Sequence, residues 1–273
     1  MFFLNNIFKL VRLKMASAIS PGTGPFRSVE TYCMFIGNPK SGHSLVGFLL
    51  NAHKNAVISH ELNALAYFRM NPGRDAIYHL IMDRDRTFAR NGYSWNGYSY
   101  GVPGQWQGKY ESLKVIGDKK GGMSSRLLGR HPDLLSRVRQ TVGVPVKLIH
   151  VVRNPYDNIS AITKHDNISL KRAVNKYFSK CHAVADIMDK TCASEVFSLR
   201  HEDFIANPEE ILGELCRFLG LPCYPGYIAD CCRIVFDSPR KRRHTIHWTE
   251  PLRDDVRKRM RAFEFLRGYS FES

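Results

Sequence analysis

The sequence predicts one α/β domain in three layers, with a mostly parallel central sheet flanked by helices. Short apolar runs of strand length recur along the 273 residues, at 32–36, 56–59, 113–117, 146–152 and 195–199. Stretches of helical periodicity separate these runs, which is the alternation expected of βαβ units with right-handed crossovers. We assign residues 31–273 to this domain and residues 1–30 to a poorly ordered leader.

The helices are predicted from apolar periodicity and from the Pro, Gly and Asn residues that end it. Their ranges are 44–52, 61–70, 74–86, 157–164, 169–191, 208–219 and 251–265. Residues 87–110 differ, because glycine alternates there with aromatic residues and the pattern fits neither a helix nor a central strand. A long aromatic loop in a compact domain is typically a functional loop or lid. The alternative, a loop that packs its aromatic rings on its own scaffold, stays open.

The charge balance favours an anionic partner. The chain has 40 Lys+Arg against 25 Asp+Glu, a formal net charge of +15. This charge suits nucleic acid, an acidic membrane surface, nucleotide phosphates or sulfated glycans, and does not choose among them. The seven cysteines form no C-x-x-C pair, so we interpret them as mostly reduced and structural, with no zinc site.

The sequence has no apolar run of the ~20 residues needed to cross a bilayer, and we predict a cytoplasmic protein. Residues 1–14 are basic and weakly amphipathic, which fits a targeting segment or contact with a membrane surface. The interpretation that we favour is that Met15 is the true start and the first residues are incidental.

Residues 31–52 combine a buried strand, a glycine-containing turn and a helix start, which together predict a phosphate cradle. The first N–H groups of a helix lack partners within it, and the helix dipole favours an anion there. Gly37 and Gly42 have the spacing of the nucleotide-triphosphate loop, but His43 stands where that loop has its lysine. The lysine comes three residues earlier, at Lys40, where it would contact a phosphate in the middle of the turn. The alternative is an ordinary strand–turn–helix corner with a surface lysine.

Ligands of a parallel sheet bind at the carboxyl ends of its strands, so the polar residues that follow each strand are candidates for the site. They are Lys40, Ser44, Glu61, Lys119, Lys120, Arg153 and Ser160. A nucleotide triphosphatase normally ends a neighbouring strand with an acid that helps to hold Mg²⁺. Here the strand at 146–152 ends in Arg153, whose planar fork suits a phosphate monoester. We therefore predict a site for two separate phosphates, one in the turn and one at Arg153, without a metal.

Four segments together resemble the sulfotransferases that use 3′-phosphoadenosine 5′-phosphosulfate (PAPS). PKSGHS is similar to the 5′-phosphosulfate loop of that family, and VVRNPYDNIS to its 3′-phosphate element. LRHEDFIANPEEILGELCRFLGLP is similar to a late strand–helix segment, and KRRHTIHW to the basic loop that closes over the 3′-phosphate. The segments follow the family order between Gly37 and Trp248. The resemblance implies a P-loop nucleotide-binding fold of the sulfotransferase type, with PAPS as the sulfuryl donor and PAP as the nucleotide that leaves.

The resemblance also implies a role for each matching position. Lys40 would stabilise the departing phosphate, and Glu61 would take the proton of the acceptor hydroxyl. Glu61 follows Lys40 at the spacing that the catalytic glutamate has in protein-tyrosine sulfotransferases. The donor would be held by Lys40, Ser41, Gly42, His43, Ser44, Leu45, Arg153, Ser160, His201, Lys241 and Arg242. Separately from the resemblance, we assign His60, Lys119, Tyr98 and Trp106 to the acceptor, the last two because the aromatic loop suggests a surface on which an acceptor could stack.

Three positions depart from the family pattern. Ser160 lies seven residues after Arg153, whereas the family serine commonly lies eight after, where this chain has Ala161. His201 stands where many members have a tyrosine beside the adenine, and His43 replaces a small hydroxyl residue.

Several alternatives stay open. Cytosolic members use a histidine base from elsewhere in the chain, so His60 rivals Glu61. A P-loop kinase using ATP is disfavoured by the misplaced lysine and the missing acid, and an inactive relative that keeps nucleotide binding is a further alternative. A nucleic-acid- or glycan-binding module would explain the charge but not the two phosphate elements, so no nucleic-acid partner is expected. The sequence does not identify the acceptor, which could be a small molecule such as a phenol, a glycan, a lipid head group or a peptide tyrosine.

Overall fold

The computed structural model describes residues 26–273; the basic N-terminal segment and most of the predicted leader lie outside the described residues. The centre is a parallel five-stranded sheet in the order β2-β5-β1-β6-β7. Its strands are β1 (Thr31–Ile36), β2 (Ala56–His60), β5 (Val115–Lys119), β6 (Val146–Val152) and β7 (Val196–Arg200). A short antiparallel hairpin consists of β3 (Ser94–Trp95) and β4 (Tyr98–Ser99).

Helices cover both faces of the sheet. In the described part of the chain they are α1 (His43–Asn51), α2 (Ala64–Phe68), α3 (Arg74–Arg90), α4 (Gly121–Arg130), α5 (Leu134–Val142), α6 (Pro155–Asp166), α7 (Leu170–Asp189), α8 (His201–Ala206), α9 (Pro208–Leu219), α10 (Pro225–Cys232) and α11 (Glu250–Met260). The predicted fold class, an α/β domain with a mostly parallel central sheet between helices, is therefore confirmed.

The alternation of side chains along the strands explains the two main cores. In β1, Tyr32, Met34 and Ile36 face one core and Cys33 and Phe35 face the other. Because every residue of β1 is buried, the strand reads as a continuous apolar run rather than as alternating polar and apolar positions. A third cluster joins α6, α7 and α11 to the residues that follow α11.

The strand order determines where a ligand can bind. Strand β1 lies between β5 and β6, and all these strands run parallel. Their carboxyl ends therefore meet at one edge of the sheet, which brings together Gly37, Lys119 and Arg153 from distant parts of the sequence.

The boundaries differ from the predicted ones in several places. Helix α3 continues to Arg90, and the remainder of the aromatic segment forms the β3–β4 hairpin and turns. The helix predicted at 61–70 is confined to α2, because Glu61 and Asn63 have positive φ angles of 56° and 64°. The helix predicted at 251–265 ends at Met260 and is followed by a separate 3-10 turn.

The described end of the predicted leader packs on the domain, since the Phe26 ring is buried and its centroid lies 5.3 Å from that of Tyr78. All seven cysteines are free thiols. Between residues 26 and 273, no helix is both long enough and apolar enough to span a bilayer. Within the same range, no group of three or more His, Cys, Asp or Glu side chains is arranged to hold a metal ion.

Candidate active site

The turn between β1 and α1 has the geometry of an anion cradle. Helix α1 starts at His43, and the N-cap residue before it, Gly42, has a φ of 105° and offers no side-chain cap. The first-turn N–H groups are therefore left for a ligand. Lys40, in the middle of the turn, has a φ of 68°, a conformation that a non-glycine residue adopts only when its surroundings enforce it.

Buried hydrogen bonds fix this turn from behind. The Ser41 hydroxyl donates to Asn38 O at 2.8 Å and accepts from Asn158 Nδ2 of α6 at 2.7 Å. The Gly37 N–H donates to Ser125 Oγ of α4 at 2.8 Å. The Ser41 side chain thus supports the turn, while its backbone remains part of the cradle. Asn158 and Ser125 were not predicted from the sequence, because their role depends on contacts between distant segments.

His43 is a buried structural residue of the turn. Its Nε2 donates to Ile36 O at 2.9 Å, and burial lowers its pKa to about 4, so the ring is neutral near pH 7. The ring fits between Gly37 and Gly121, since an added Cβ would lie 3.0 Å and 2.6 Å, respectively, from His43 Nε2. The backbone N–H of His43, rather than its ring, can therefore face an anion.

Arg153 provides the second cationic corner. Its side chain is buried, and its Nη1 and Nη2 donate to the carbonyl oxygens of Lys40, at 3.4 Å, and Arg240. Burial lowers the pKa of Arg153, and within residues 26–273 no carboxylate lies within ion-pair distance of it. An arginine held in this way, with its Nε unpaired, is suited to an anionic ligand.

His201 lies against the cradle. A Cβ placed on Gly42 would be 2.3 Å from His201 Nδ1, so the ring packs directly on that glycine. Burial, reinforced by the charge of Arg153, lowers the pKa of His201 to about 3. Its Nδ1 is buried and has no hydrogen-bond partner within the described chain. His201 is therefore a neutral ring with an unused polar atom between the two corners.

Glu61, at the end of β2, is clamped by two lysines. Lys119 Nζ lies 3.0 Å from Glu61 Oε1 and 3.2 Å from Ser44 Oγ, and Lys120 Nζ lies 2.5 Å from Glu61 Oε2. Burial of the Glu61 carboxyl by itself raises its pKa, but the ammonium groups, Lys119 first, outweigh this effect and hold the pKa at about 2. Burial lowers the pKa of Lys119 to about 8, against the opposing effect of Glu61.

The backbone around Glu61 is positioned by Asp118. Both oxygens of this buried carboxylate are used: Oδ1 accepts from Ser59 Oγ and the Leu62 N–H, and Oδ2 accepts from the Ala64 N–H. These bonds hold Glu61 in its left-handed conformation at the strand end. Glycine at position 47 of α1 completes the arrangement, because a Cβ there would lie 2.8 Å from Lys119 Cγ.

His60 is enclosed by aromatic rings. Its ring stacks on Phe48 at 4.6 Å and meets the edge of Trp95 in the hairpin at 4.7 Å. Burial, followed by the charge of Lys119, lowers the pKa of His60 to about 2. Its Nε2 is buried without a partner among the described residues. The pKa values of His60 and Glu61 are equally low, so they do not choose between the two as a base. The position does, because the Glu61 side chain is 27% exposed whereas the His60 nitrogen is enclosed by rings.

The predicted acceptor residues Tyr98 and Trp106 lie in different parts of the structure. Tyr98 of the hairpin lies under the Arg240 guanidinium at 5.0 Å, near the second corner. Trp106 donates its backbone N–H to Ala52 O, at the carboxyl end of α1. The nine residues of α1 span about 14 Å, so the backbone of Trp106 lies at the opposite end of this helix from the cradle. Trp106 is thus not brought together with the other predicted residues.

Ser160 is also not part of the cluster. It is fully buried in α6, and its Oγ accepts a hydrogen bond from Trp248 Nε1 at 3.1 Å. One residue corresponds to about 100° around a helix, so Ser160 faces a different direction from Ala161, which occupies the usual position of the family serine.

The basic loop, residues 240–245, has members with different roles. Lys241 is exposed and Arg242 is half-buried, so both are available to a ligand. Arg243 is 1% exposed and pairs with Asp157, to which it also donates its backbone N–H at 2.8 Å. Arg240 contacts Arg153 through its carbonyl oxygen. The sequence run of basic residues gave no signal that could distinguish these roles.

Part of the chain matches a known protein family. Residues 145–225, which include β6 and Arg153, match the family model described as Sulfotransferase family. A search of curated protein sequences found no match.

Three solved structures share the fold at low sequence identity. The sulfotransferase domain of an olefin synthase from Synechococcus PCC 7002 has 15% identity and a TM-score of 0.56, over 85% of this chain and 94% of that one. A sulfotransferase domain from the curacin biosynthetic pathway has 15% identity and a TM-score of 0.54, over 86% and 99%. The sulfotransferase STF9 from Mycobacterium avium has 11% identity and a TM-score of 0.52, over 96% and 85%. The predicted resemblance to the sulfotransferases is therefore confirmed.

Proposed function

We propose that this chain, which has the fold of the sulfotransferases and a segment that matches their family model, transfers a sulfuryl group from PAPS to an acceptor hydroxyl or amine. The observation that carries the proposal is the pair of anion sites joined at one carbonyl. Arg153 donates to the carbonyl oxygen of Lys40, the residue in the middle of the cradle. Two phosphates of a single small molecule would thus be held at neighbouring corners.

The residues present fit such a donor. The free N–H groups at the start of α1 and the ammonium group of Lys40 suit its 5′ phosphate. Arg153, with Lys241 and Arg242 from the basic loop, suits its 3′-phosphate. His201 offers a neutral ring and a free Nδ1 close to both corners, a suitable environment for the adenine. The donor would supply the activated sulfuryl group.

Glu61 is the proposed base. Its carboxylate is ionised at neutral pH, since its pKa is about 2, and it can accept the proton of the acceptor hydroxyl at Oε1 or Oε2. A base of such low pKa accepts the proton late, when bonding of the hydroxyl to sulfur has made the proton acidic. Lys119, which reaches both Glu61 and Ser44, places a positive charge between the base and the cradle.

The orientation of Asp118 argues against ATP and Mg²⁺. A P-loop kinase needs an acid beside the cradle. Asp118 is on the neighbouring strand, but its oxygens accept hydrogen bonds from the segment of residues 59–64. The next residue, Lys119, faces α1 instead, because successive residues of a strand face opposite sides. The position facing Ser44 thus holds an ammonium group rather than a metal ligand.

The acceptor would lie between Glu61 and the β3–β4 hairpin, where Trp95 and Tyr98 offer partly exposed rings. Its chemical class is best identified by incubating the protein with radiolabelled PAPS and separate panels of phenols, glycans and tyrosine peptides. Transfer of label to one class without added metal supports the proposal. Binding of PAP without transfer to any panel would indicate an inactive relative, and Mg²⁺-dependent binding of ATP in place of PAP would indicate a kinase.

A further inference from the structure

The residues that follow α11 fold back onto the second corner of the site. Residues 269–273, here named the return segment, are joined to Asn154, the residue next to Arg153. Asn154 Nδ2 donates to Ser270 O at 2.9 Å and to Ser273 Oγ at 3.1 Å. The segment is also closed on itself, since the Ser270 and Ser273 hydroxyls accept backbone N–H groups within it.

An aromatic anchor holds the return segment in place. The Phe271 ring lies 5.2 Å from Tyr156 of α6 and 5.8 Å from His244 of the basic loop. The Arg253 guanidinium covers the Phe271 ring at 3.8 Å. The half-buried Phe271 side chain thus touches α6 and the basic loop at once, and these ring contacts hold the return segment to both.

The return segment is also bonded to the buried arginine of the basic loop. Arg243 Nη2 donates to the main-chain oxygen of Ser273, and Arg243 Nη1 lies 3.6 Å from Asp157 Oδ2. A fully buried guanidinium needs such partners, because an uncompensated charge would be expelled to solvent. If Ser273 is withdrawn, Arg243 loses one of these two partners, and the basic loop is then attached at this residue through Asp157 alone.

The same loop reaches Arg153. Arg240 lies three residues before Arg243, and its carbonyl oxygen accepts a hydrogen bond from Arg153 Nη2. The return segment is therefore connected to Arg153 through Arg243, the backbone of residues 240–243 and the Arg240 carbonyl oxygen. Lys241 and Arg242 lie between the two attached residues, so their positions depend on both attachments.

We propose that the return segment is a positioning element that holds the basic loop over Arg153 and thereby sets the preference of the protein for nucleotides with a 3′-phosphate. The inference rests on the proposed function, because it assigns the 3′-phosphate to this corner. Within residues 26–273, no hydrogen bond, ion pair or ring contact joins the segment to residues 37–45, so we expect its effect at the 3′ end of the nucleotide.

The test compares two nucleotides that differ at this corner: PAP, and adenosine 5′-monophosphate, which lacks the 3′-phosphate. Their affinities are measured by calorimetry for the wild type, Phe271→Ala and a chain shortened by residues 270–273. Glu272→Ala is the matched control, since Glu272 is exposed in the same segment. Hydrogen bonds to a charged group typically change an equilibrium tenfold or more, so PAP affinity should fall by about that factor in both variants. The affinity for adenosine 5′-monophosphate should stay within about twofold, and the control should behave as the wild type.

The outcomes separate the two proposals. Suppose that the wild type binds PAP more tightly than adenosine 5′-monophosphate. The role of the return segment alone is then overturned if a variant loses affinity for both nucleotides equally, or keeps its affinity for PAP. A wild type that does not prefer PAP would overturn the proposed function and this inference with it. Should the shortened chain fail to fold, the milder Phe271→Leu variant provides the same ratio of affinities and decides the question.

Discussion

Replacement of Glu61 by glutamine is the most informative perturbation of the proposed chemistry. The change keeps the size of the side chain but removes the charge that Lys119 and Lys120 contact at 3.0 Å and 2.5 Å. It also removes the only proposed proton acceptor. General bases contribute typically about 10²–10⁴-fold to a rate, so we expect turnover to fall within that range.

The effect of this substitution on stability should be modest. The depression of the Glu61 pKa from 4.5 to about 2 corresponds to about 3 kcal/mol, present above pH 4.5 and lost as the pH falls through about 2. The Lys119 pKa is lowered from 10.5 to about 8, and the burial of this ammonium group opposes folding below pH 8. This destabilisation is relieved as the pH rises above 8, because Lys119 then loses its proton in the folded state. The two effects oppose each other near pH 7, so the net contribution of the pair to stability is smaller than either effect alone. Without Glu61, Lys119 can lose its proton, and we expect a loss of about 1–3 kcal/mol.

The assay measures turnover of labelled PAPS and, separately, PAP affinity by calorimetry. Glu111→Gln is the matched control, because Glu111 also pairs with a lysine, at 2.7 Å, but is 56% exposed. The reasoning is refuted if Glu61→Gln retains turnover within about tenfold of the wild type. It is also refuted if PAP affinity falls as far as turnover, since Glu61 would then act in donor binding or folding.

Three further predictions follow from the same geometry. Lys40→Ala should raise the barrier to transfer by about 2–4 kcal/mol, measured as kcat, and a variant that turns over at the wild-type rate would exclude its role. Ser160→Ala should leave PAP affinity within about threefold of the wild type, because the Ser160 hydroxyl is bonded to Trp248. A tenfold loss of PAP affinity in calorimetry would instead show that Ser160 contacts the donor. The pH–rate profile should be flat from about pH 5 to 7 and fall as Lys119 loses its charge near pH 8; an acidic limb near pH 6.5 would instead indicate a charged histidine in the mechanism.

Local patterns explain why much of the fold could be predicted. A strand buried on both faces, such as β1 or β6, is a continuous apolar run, and its signal does not depend on the rest of the chain. The cradle is likewise local, because Gly42 and the start of α1 are neighbours in sequence. The strand-end residues could be grouped because parallel strands share one ligand edge.

The features that could not be predicted depend on long-range contacts or on exact helical phase. The Arg240 carbonyl meets Arg153 across 87 residues of sequence, which no local pattern encodes. In the basic loop, Arg243 is buried, whereas Arg240 is exposed and Arg242 is half-buried, although all three residues are arginines. Ser160 shows the effect of phase, since a shift of one residue turns a side chain by about 100° around the helix.

The central claim is that one nucleotide is held by its two phosphates, at the start of α1 and at Arg153. A crystal structure of the protein grown with PAP and a metal chelator tests it most directly. The account predicts one phosphate on the first-turn N–H groups and Lys40, and the other on Arg153 with Lys241 or Arg242. Density for PAP that leaves either position without a phosphate would contradict it.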